Sequence, residues 1–372
     1  MKLFEYQAKE LFKEFGITIP ESKLIESADE LSAAVDEIGL PCVVKAQVLH
    51  GGRGKAGLVK FVKTKEEALQ EGARILEKTG MKLLVEAAVD KEKEIYLSIT
   101  GDPVVGKAMV MACADGGMDI EEIARTEPEK IIKQHIDLSE GIFPYQAQDV
   151  FYKLGMDKDT VKEATKLLVG LYKAFRKYEA ELVEINPVMI TTDGKCVAAD
   201  GKFNIDDHAI SMFPQYEKSR AYYKTDLEYE AALEGVPFIQ FDGDIGLLVA
   251  GAGLANVVFD LINYSHGSVA TYLEFGGPNY RKGKECMELM LKSKPKGILI
   301  VAFGTIARAD VMAEGIVEAY HELKPDIPVV TAIRGTGEEE AKKLLSDTPF
   351  EAFDDVEEAV QRIIELTGGA QK

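Results

Sequence analysis

The sequence predicts an α/β protein in two parts, an α+β part over residues 1–230 and a parallel-sheet part over 240–372. Three observations predict it. Up to residue 230, helical and strand patterns mix irregularly, with hairpin signals such as Glu94–Ile99 against Val104–Met109. Between Ser211 and Glu234, apolar periodicity is poor and charges cluster among tyrosines, which marks a connection. From Ile245 onward, short apolar strands alternate with helical stretches at Ile245–Val249, Val269–Leu273, Gly297–Phe303, Pro328–Ile333 and, weakly, Phe350–Phe353. Such a βα series builds a parallel sheet.

At 372 residues the chain is long enough for two or three domains, and 46% hydrophobic content gives material for ordinary cores. Its net charge of −19 argues against nucleic acid or an anionic membrane as the main partner, since both need a basic surface. Anionic ligands must be met by local charge. No apolar run approaches the ~20 residues that span a bilayer, and Met1–Glu5 carries no secretory apolar region, so the expected location is cytoplasmic. Cys42, Cys113, Cys196 and Cys286 have no paired spacing, as expected of reduced structural thiols.

In chain order, the first chemical element is the strand Val43–Gln47, which opens into Leu49-His50-Gly51-Gly52-Arg53-Gly54-Lys55-Ala56-Gly57. Glycine lets backbone N–H groups approach phosphate oxygens, and Lys45, Arg53 and Lys55 put positive charge where it builds up in phosphoryl transfer. Leu84–Val89 is a third strand-like piece. Glu181-Leu182-Val183-Glu184-Ile185-Asn186-Pro187 and, after a short turn, Ala199-Asp200-Gly201-Lys202 place oxygen ligands on two neighbouring strands. Asn186 and Asp200 suit Mg²⁺ carried by a nucleotide, because Mg²⁺ keeps several waters and takes only one or two protein carboxylates plus substrate phosphates. The same pattern also fits a plain hairpin around Thr191–Gly194. His50 adjoins the loop, whereas His135, His208, His266 and His321 sit in ordinary helix or loop contexts. In the second part, glycine turns follow the strands at Gly251-Ala252-Gly253, Gly276-Gly277-Pro278, Gly304-Thr305-Ile306-Ala307 and Arg334-Gly335-Thr336-Gly337. Each alone is an ordinary helix start, and together at strand ends they favour an anion site.

On these residues, with Leu3–Lys9, Gly116–Glu122, Pro144–Ala147 and Gly251–Ala255, nearly the whole chain resembles the β subunits of ADP-forming succinyl-CoA synthetases. The resemblance implies an ATP-grasp domain followed by a flavodoxin-like, doubly wound ligase domain. It implies ATP and CoA as substrates, Mg²⁺ as cofactor, and an α subunit that binds CoA and carries a phosphohistidine, in an αβ or α₂β₂ assembly. By the same resemblance Lys45, Gly52, Arg53, Gly54, Glu86, Val89 and Glu94 meet the nucleotide, and Asn186 and Asp200 hold Mg²⁺. Glu184, with Arg53 the catalytic candidate, steadies the partner's histidine near ATP. The helix after Gly304 helps hold the phosphohistidine at a second site. Pro20 matches the ATP-using members.

The departures gather at the acid end. Ala250 stands just before Gly251 where the family has an asparagine that holds the substrate carboxylate, a loss worth ~1.5–3 kcal/mol unless replaced. The family's Gly-Gly-Ile-Val turn has become Gly304-Thr305-Ile306-Ala307, and Arg334 stands where an acid stood. Arg334 offers a bidentate fork to a carboxylate or sulfonate, or pairs with Glu338 or Glu339. Ala250, Val257-Val258 and Arg334 resemble the matching stretch of citryl-CoA synthetase and ATP-citrate lyase. The acid site is therefore assigned to Ala250, Gly251, Thr305, Ile306, Ala307 and Arg334. Succinate is the first expectation, and malate, citrate or a sulfonated acid the alternative. Two other classes are weighed: a stand-alone ATP-grasp carboxylate–amine ligase, against which the second part speaks, and a sensor module without chemistry, against which Lys45, Asn186 and Asp200 speak.

Overall fold

The computed structural model describes residues 1–216, 218 and 220–368. Contacts divide the chain into two units, Met1–Ala221 and Tyr222–Lys372.

The first unit opens with helix α1 (Glu5–Glu14). Strands β1 (Ser22–Ile25), β2 (Cys42–Ala46), β3 (Val59–Val62) and β4 (Leu83–Ala87) then form an antiparallel sheet in the order β1-β4-β2-β3. Side chains alternate faces along a strand. Cys42, Val44 and Ala46 of β2, with Leu83 and Val85 of β4, therefore join one core with α2 (Leu31–Ile38) and α3 (Lys65–Thr79). Lys45 and Glu86 are left on the other face. The start of α3 is fixed locally, where the Thr64 hydroxyl accepts from Glu67 N–H at 3.2 Å and the Glu67 carboxylate accepts from Thr64 N–H at 3.4 Å.

The larger sheet of this unit contains β5 (Lys91–Asp102), β6 (Lys107–Cys113), β7 (Ile132–Ile136), β8 (Ala180–Thr191), β9 (Cys196–Ala198) and β10 (Lys202–Ile205). Its order is β10-β8-β5-β6-β7, with β9 folded back on β8. The hairpin read from the sequence at Glu94–Met109 is the antiparallel pair β5 and β6. Helices α4 (Ile120–Thr126), α5 (Pro144–Lys153) and α6 (Lys158–Lys177) belong to the same unit. Along α6 the buried residues Val161, Ala164, Leu168, Leu171 and Phe175 recur at helical spacing and make its core face. On β8, Val183 and Ile185 are buried, so Leu182, Glu184 and Asn186 fall on the half-buried face.

In the second unit α7 (Asp226–Leu233) lies within the stretch the sequence reads as a bare connection. Its start is set by a Thr225 and Glu228 capping box, which short polar helices rely on when periodicity is weak. Six strands follow, with helices between them: β11 (Phe238–Gln240), β12 (Ile245–Ala250), α8 (Ala252–Tyr264), β13 (Val269–Glu274), α9 (Gly283–Lys292), β14 (Gly297–Gly304), α10 (Ala309–Leu323), β15 (Val329–Gly335), α11 (Glu338–Leu345), β16 (Glu351–Ala352) and α12 (Val356–Leu366). The sheet order is β11-β13-β12-β14-β15-β16, parallel throughout except for β11. Leu248 and Ala250 of β12 pack with α9, α10 and α11, while Leu247 and Val249 pack with α8 and α12. Helices thus cover both faces, as the doubly wound reading requires. The order reverses at β12, the crevice where such sheets bind ligands at their carboxyl ends.

Candidate functional site

In the first unit, Lys45, Arg53, Glu86 and Asp200 come into direct contact through two residues that the sequence reading did not single out, Glu5 and Lys9. The Lys45 ammonium lies 2.6 Å from Glu86 Oε1 and 3.1 Å from Glu5 Oε1, and donates to the Ala199 carbonyl at 2.6 Å. Lys9 Nζ lies 2.8 Å from Glu5 Oε1, touches Glu86 Oε2, and donates to the same carbonyl at 2.8 Å. Arg53 reaches in from the glycine loop, with Nη1 on Glu5 Oε2 and Nη2 donating to Asp200 Oδ1 at 2.6 Å. Burial alone would raise the Glu5 carboxyl, but the fields of Lys45, Lys9 and Arg53 outweigh it and hold that group well below the usual carboxylate range. Burial likewise pulls Lys45 down, and Glu5, Glu86 and Asp200 reverse the sign, so Lys45 stays firmly charged.

The loop that carries Arg53 is anchored from outside. Arg74 and Lys78 of α3 donate to the carbonyls of Gly57 at 2.7 Å and Ala56 at 3.2 Å. Gly52 takes a positive φ of 77°, which a glycine adopts without steric penalty, and Gly52 and Gly54 are both exposed. Lys55 stays at the surface, 3.5 Å from Asp119. His50 is exposed and its Nδ1 contacts its neighbour's carbonyl, that of Gly51, at 3.2 Å.

A second group gathers around β8. Asn186 Oδ1 accepts from Gly117 N–H at 2.7 Å, and its Nδ2 donates to the Met118 carbonyl at 2.9 Å. Gly116 N–H donates to the Glu94 carbonyl at 3.2 Å. Only glycine fits there, since a Cβ on Gly116 would come 2.5 Å from Ile95 N. Glu94 and Asn186 are thus joined through the Gly116–Met118 segment, while the Glu94 carboxylate is held by Lys91. Val89 is half-buried just past β4. Glu184 pairs across strands with Lys202 and Ser98, and accepts a hydrogen bond from the Tyr96 hydroxyl at 3.1 Å. Burial pushes the Glu184 carboxyl up, and Lys202 offsets only part of that.

Among the described residues no group of three or more His, Cys, Asp or Glu is placed to hold a metal. Asn186 and Asp200 offer two oxygen-bearing side chains instead. Asn186 is held by Gly117 and Met118 and Asp200 by Arg53; oxygens of this type suit Mg²⁺ arriving with phosphates and waters, and not a zinc cage.

In the second unit, the predicted acid residues lie at the carboxyl ends of neighbouring strands. Ala250 ends β12, and Gly251, with φ 115°, caps α8. Gly304 pairs in register with Gly335, where a Cβ on Gly335 would lie 2.0 Å from the Gly304 carbonyl oxygen. Thr305, Ile306 and Ala307 form the turn into α10, with Ile306 94% exposed. Ala309 N–H donates to the Thr336 carbonyl at 2.8 Å, and Arg308 forks onto Asp310 at 3.0 and 2.7 Å. Arg334 donates from Nη1 to the Asp354 carbonyl at 2.9 Å, and its Nε lies 2.7 Å from Glu338 Oε1, off the hydrogen-bond direction. Lys342, the Gly335 N–H and Arg334 together hold the Glu338 carboxyl down at about 2.

Comparison with known proteins agrees with both halves of this description. Residues 2–190 match the family described as ATP-grasp domain, and residues 248–364 match the family described as CoA-ligase. The chain is 51% identical to an ADP-forming sulfoacetate-CoA ligase subunit of Bilophila wadsworthia, over 99% of this chain and 100% of that protein. It is 50% identical to a protein of the same description from an Acholeplasma species, over 100% and 93%. Against the ADP-forming succinate–CoA ligase β subunit of Ignicoccus hospitalis the identity is 39%, over 100% of both chains. Among solved structures, ATP citrate lyase from Methanothrix soehngenii has the same fold, with a TM-score of 0.71 over 94% of this chain and 95% of that one at 20% identity.

Proposed function

This chain belongs to the ADP-forming acid–CoA ligases, as a β subunit that uses ATP and CoA with an α partner, and from this premise we propose that its acid is sulfoacetate or a close sulfonated relative. Succinate, the first expectation from the family resemblance, becomes the second. The observation that carries the proposal is the full-length identity of 51% and 50% to two sulfoacetate-CoA ligase subunits, against 39% to a succinate–CoA ligase subunit. Chemistry at the acid end supports it. A sulfonate is a tetrahedral head with three oxygens, bulkier than a planar carboxylate, and Ala250 at the end of β12 has a smaller side chain than the family's asparagine.

The reaction is acid + CoA + ATP = acyl-CoA + ADP + phosphate. In the proposed mechanism Lys45 and Arg53 hold the nucleotide's phosphates, and Asn186 and Asp200 would hold Mg²⁺, which would supply positive charge against those phosphates. Arg53 therefore exchanges its Asp200 partner for phosphate when the nucleotide arrives. Glu184 steadies the partner subunit's histidine as it takes the phosphoryl group. The turn Thr305–Ala307 and the first turn of α10 then hold that phosphate, at the positive end of a helix dipole, while the acid's carboxylate attacks it; the bond to the partner subunit's histidine breaks, and the CoA thiol displaces phosphate from the resulting acyl phosphate. No nucleophile from this chain is required, and relay through the partner divides one difficult transfer into easier ones.

The test is CoA-dependent ADP release by the chain co-purified with its native partner, with sulfoacetate, succinate, malate and citrate. The expected result is a kcat/KM for sulfoacetate at least about tenfold above that for succinate, the scale of one hydrogen bond to a charged group. A preference for succinate overturns the proposed acid. ADP release with an amine in place of CoA overturns the ligase class.

A further inference from the structure

Lys9 and Glu5 take no part in the reading above, yet they are 1% and 3% exposed. They stand one turn apart on α1, on the face that buries Ala8 and Phe12. Desolvating two ions is costly, and apolar residues of similar volume often replace such a pair without loss of stability. Packing therefore does not account for them, but their contacts do. Glu5 spans Lys45 on one oxygen and Arg53 on the other, and Lys9 closes the ring by touching Glu5, Glu86 and the Ala199 carbonyl that precedes Asp200. The cluster sets Lys9, Lys45 and Arg53 against Glu5, Glu86 and Asp200. Without Lys9, the two buried carboxylates would be undercompensated and would draw Lys45 and Arg53 inward. The helix that presents the pair is pinned to the end of β2, where Tyr6 N–H donates to Gln47 Oε1 at 3.0 Å.

We infer that the Lys9–Glu5 pair of α1 is a positioning device for phosphate binding: it sets the spacing of Lys45 and Arg53 and the place of the backbone before Asp200 without touching the ligand. This rests on the proposal that Lys45 and Arg53 meet the nucleotide's phosphates. Calorimetric titration of the chain with its native partner tests both, using Mg²⁺–ADP and adenosine as the two probes. Lys9→Met should weaken ADP by at least about tenfold and leave adenosine within twofold, because only the phosphate-bearing probe uses the positioned cations. Equal weakening of both probes, or unchanged ADP binding, overturns the inference. Should Lys9→Met not fold, Glu5→Gln with Lys9→Met removes one charge of each sign and should still weaken ADP selectively; unchanged ADP binding there has the same adverse meaning. Lys45→Met separates the two levels. If it abolishes ADP binding while Lys9→Met does not change it, the positioning role alone falls; if it leaves ADP binding intact, the nucleotide-site reading falls and the inference with it.

Discussion

Glu184 and Glu5 are carboxylates of one unit that answer burial in opposite ways, and the difference is measurable. Burial raises Glu184 above its ordinary 4.5. Below that pH the residue is protonated in both folded and unfolded chains and adds nothing. As pH rises through the window between 4.5 and the raised folded value, the unfolded chain ionises first and native stability falls. Glu184→Gln removes that fall, so the variant's melting temperature should match the parent's at pH 4 and exceed it at pH 8. A constant difference across pH would show that burial does not raise the Glu184 carboxyl. Glu5 is held low by three cations, so its contribution is present above the ordinary 4.5 and disappears only as pH falls through the depressed value. Glu5→Gln should therefore lower the melting temperature at pH 7, with the deficit closing in acid. Lys45, Arg53, Asn186 and Asp200 stand out in the sequence as candidates because strand and glycine-loop context singles them out. Glu5 and Lys9 do not, because charged residues in an amphipathic helix ordinarily read as its solvated face. The available signal was phase: positions 5 and 9 fall on the same stripe as Ala8 and Phe12.

Elements rather than single residues fix how closely the functional turns approach one another. The βα series from Ile245 and the hairpin of β5 and β6 are legible because period and punctuation are local properties of the chain. The need for glycine at particular turns is not. From the sequence, the turns at Gly304 and Gly335 each read as an ordinary helix start, whereas the need for glycine comes from register: β14 and β15 end opposite each other, and the Gly304 carbonyl occupies the space a Gly335 side chain would need. Gly335 also has φ 106°, so Gly335→Ala combines a backbone clash with strain. That should cost ~2–4 kcal/mol, several degrees in a thermal melt, and loosen the turn that leads into α10. A melting temperature unchanged within a degree would refute the close approach. Gly116→Ala makes a parallel case in the segment after β6, which packs against β5. The Cβ would push the segment off the strand, remove the Gly117 and Met118 contacts that orient Asn186, and raise the KM for Mg²⁺–ATP by about tenfold or more. Steady-state kinetics with ATP as the varied substrate reads it directly.

At the scale of the whole molecule, an acidic protein binds anions by confining its cations. The net charge of −19 repels ATP, CoA and a dianionic acid in general, so affinity depends on the few sites where basic side chains or strand-end amides are organised. The class of chemistry was legible for that reason: it needs recognisable residue types in recognisable places along the chain. The acid was not: of the residues assigned to it, Ala250 is a small apolar side chain and Arg334 is already engaged by Asp354 and Glu338, and neither names a ligand. The two units give separate handles on this. Ala250 ends β12, 9% exposed and packed on the α9–α11 side, so a longer polar side chain there tests the strand end at which such sheets bind ligands. Ala250→Asn supplies a donor for a second carboxylate and fills space a sulfonate head would use. It should raise kcat/KM for succinate and lower it for sulfoacetate, moving their ratio by about 10- to 150-fold, the range of one hydrogen bond to a charged group. The Kd for Mg²⁺–ADP should stay within twofold, because every residue assigned to the nucleotide lies in the other unit. Arg334→Ala should weaken every dianionic acid. If Ala250→Asn leaves the ratio unchanged and Arg334→Ala spares all acids, specificity lies elsewhere, and the strand-end assignment of the acid site is wrong.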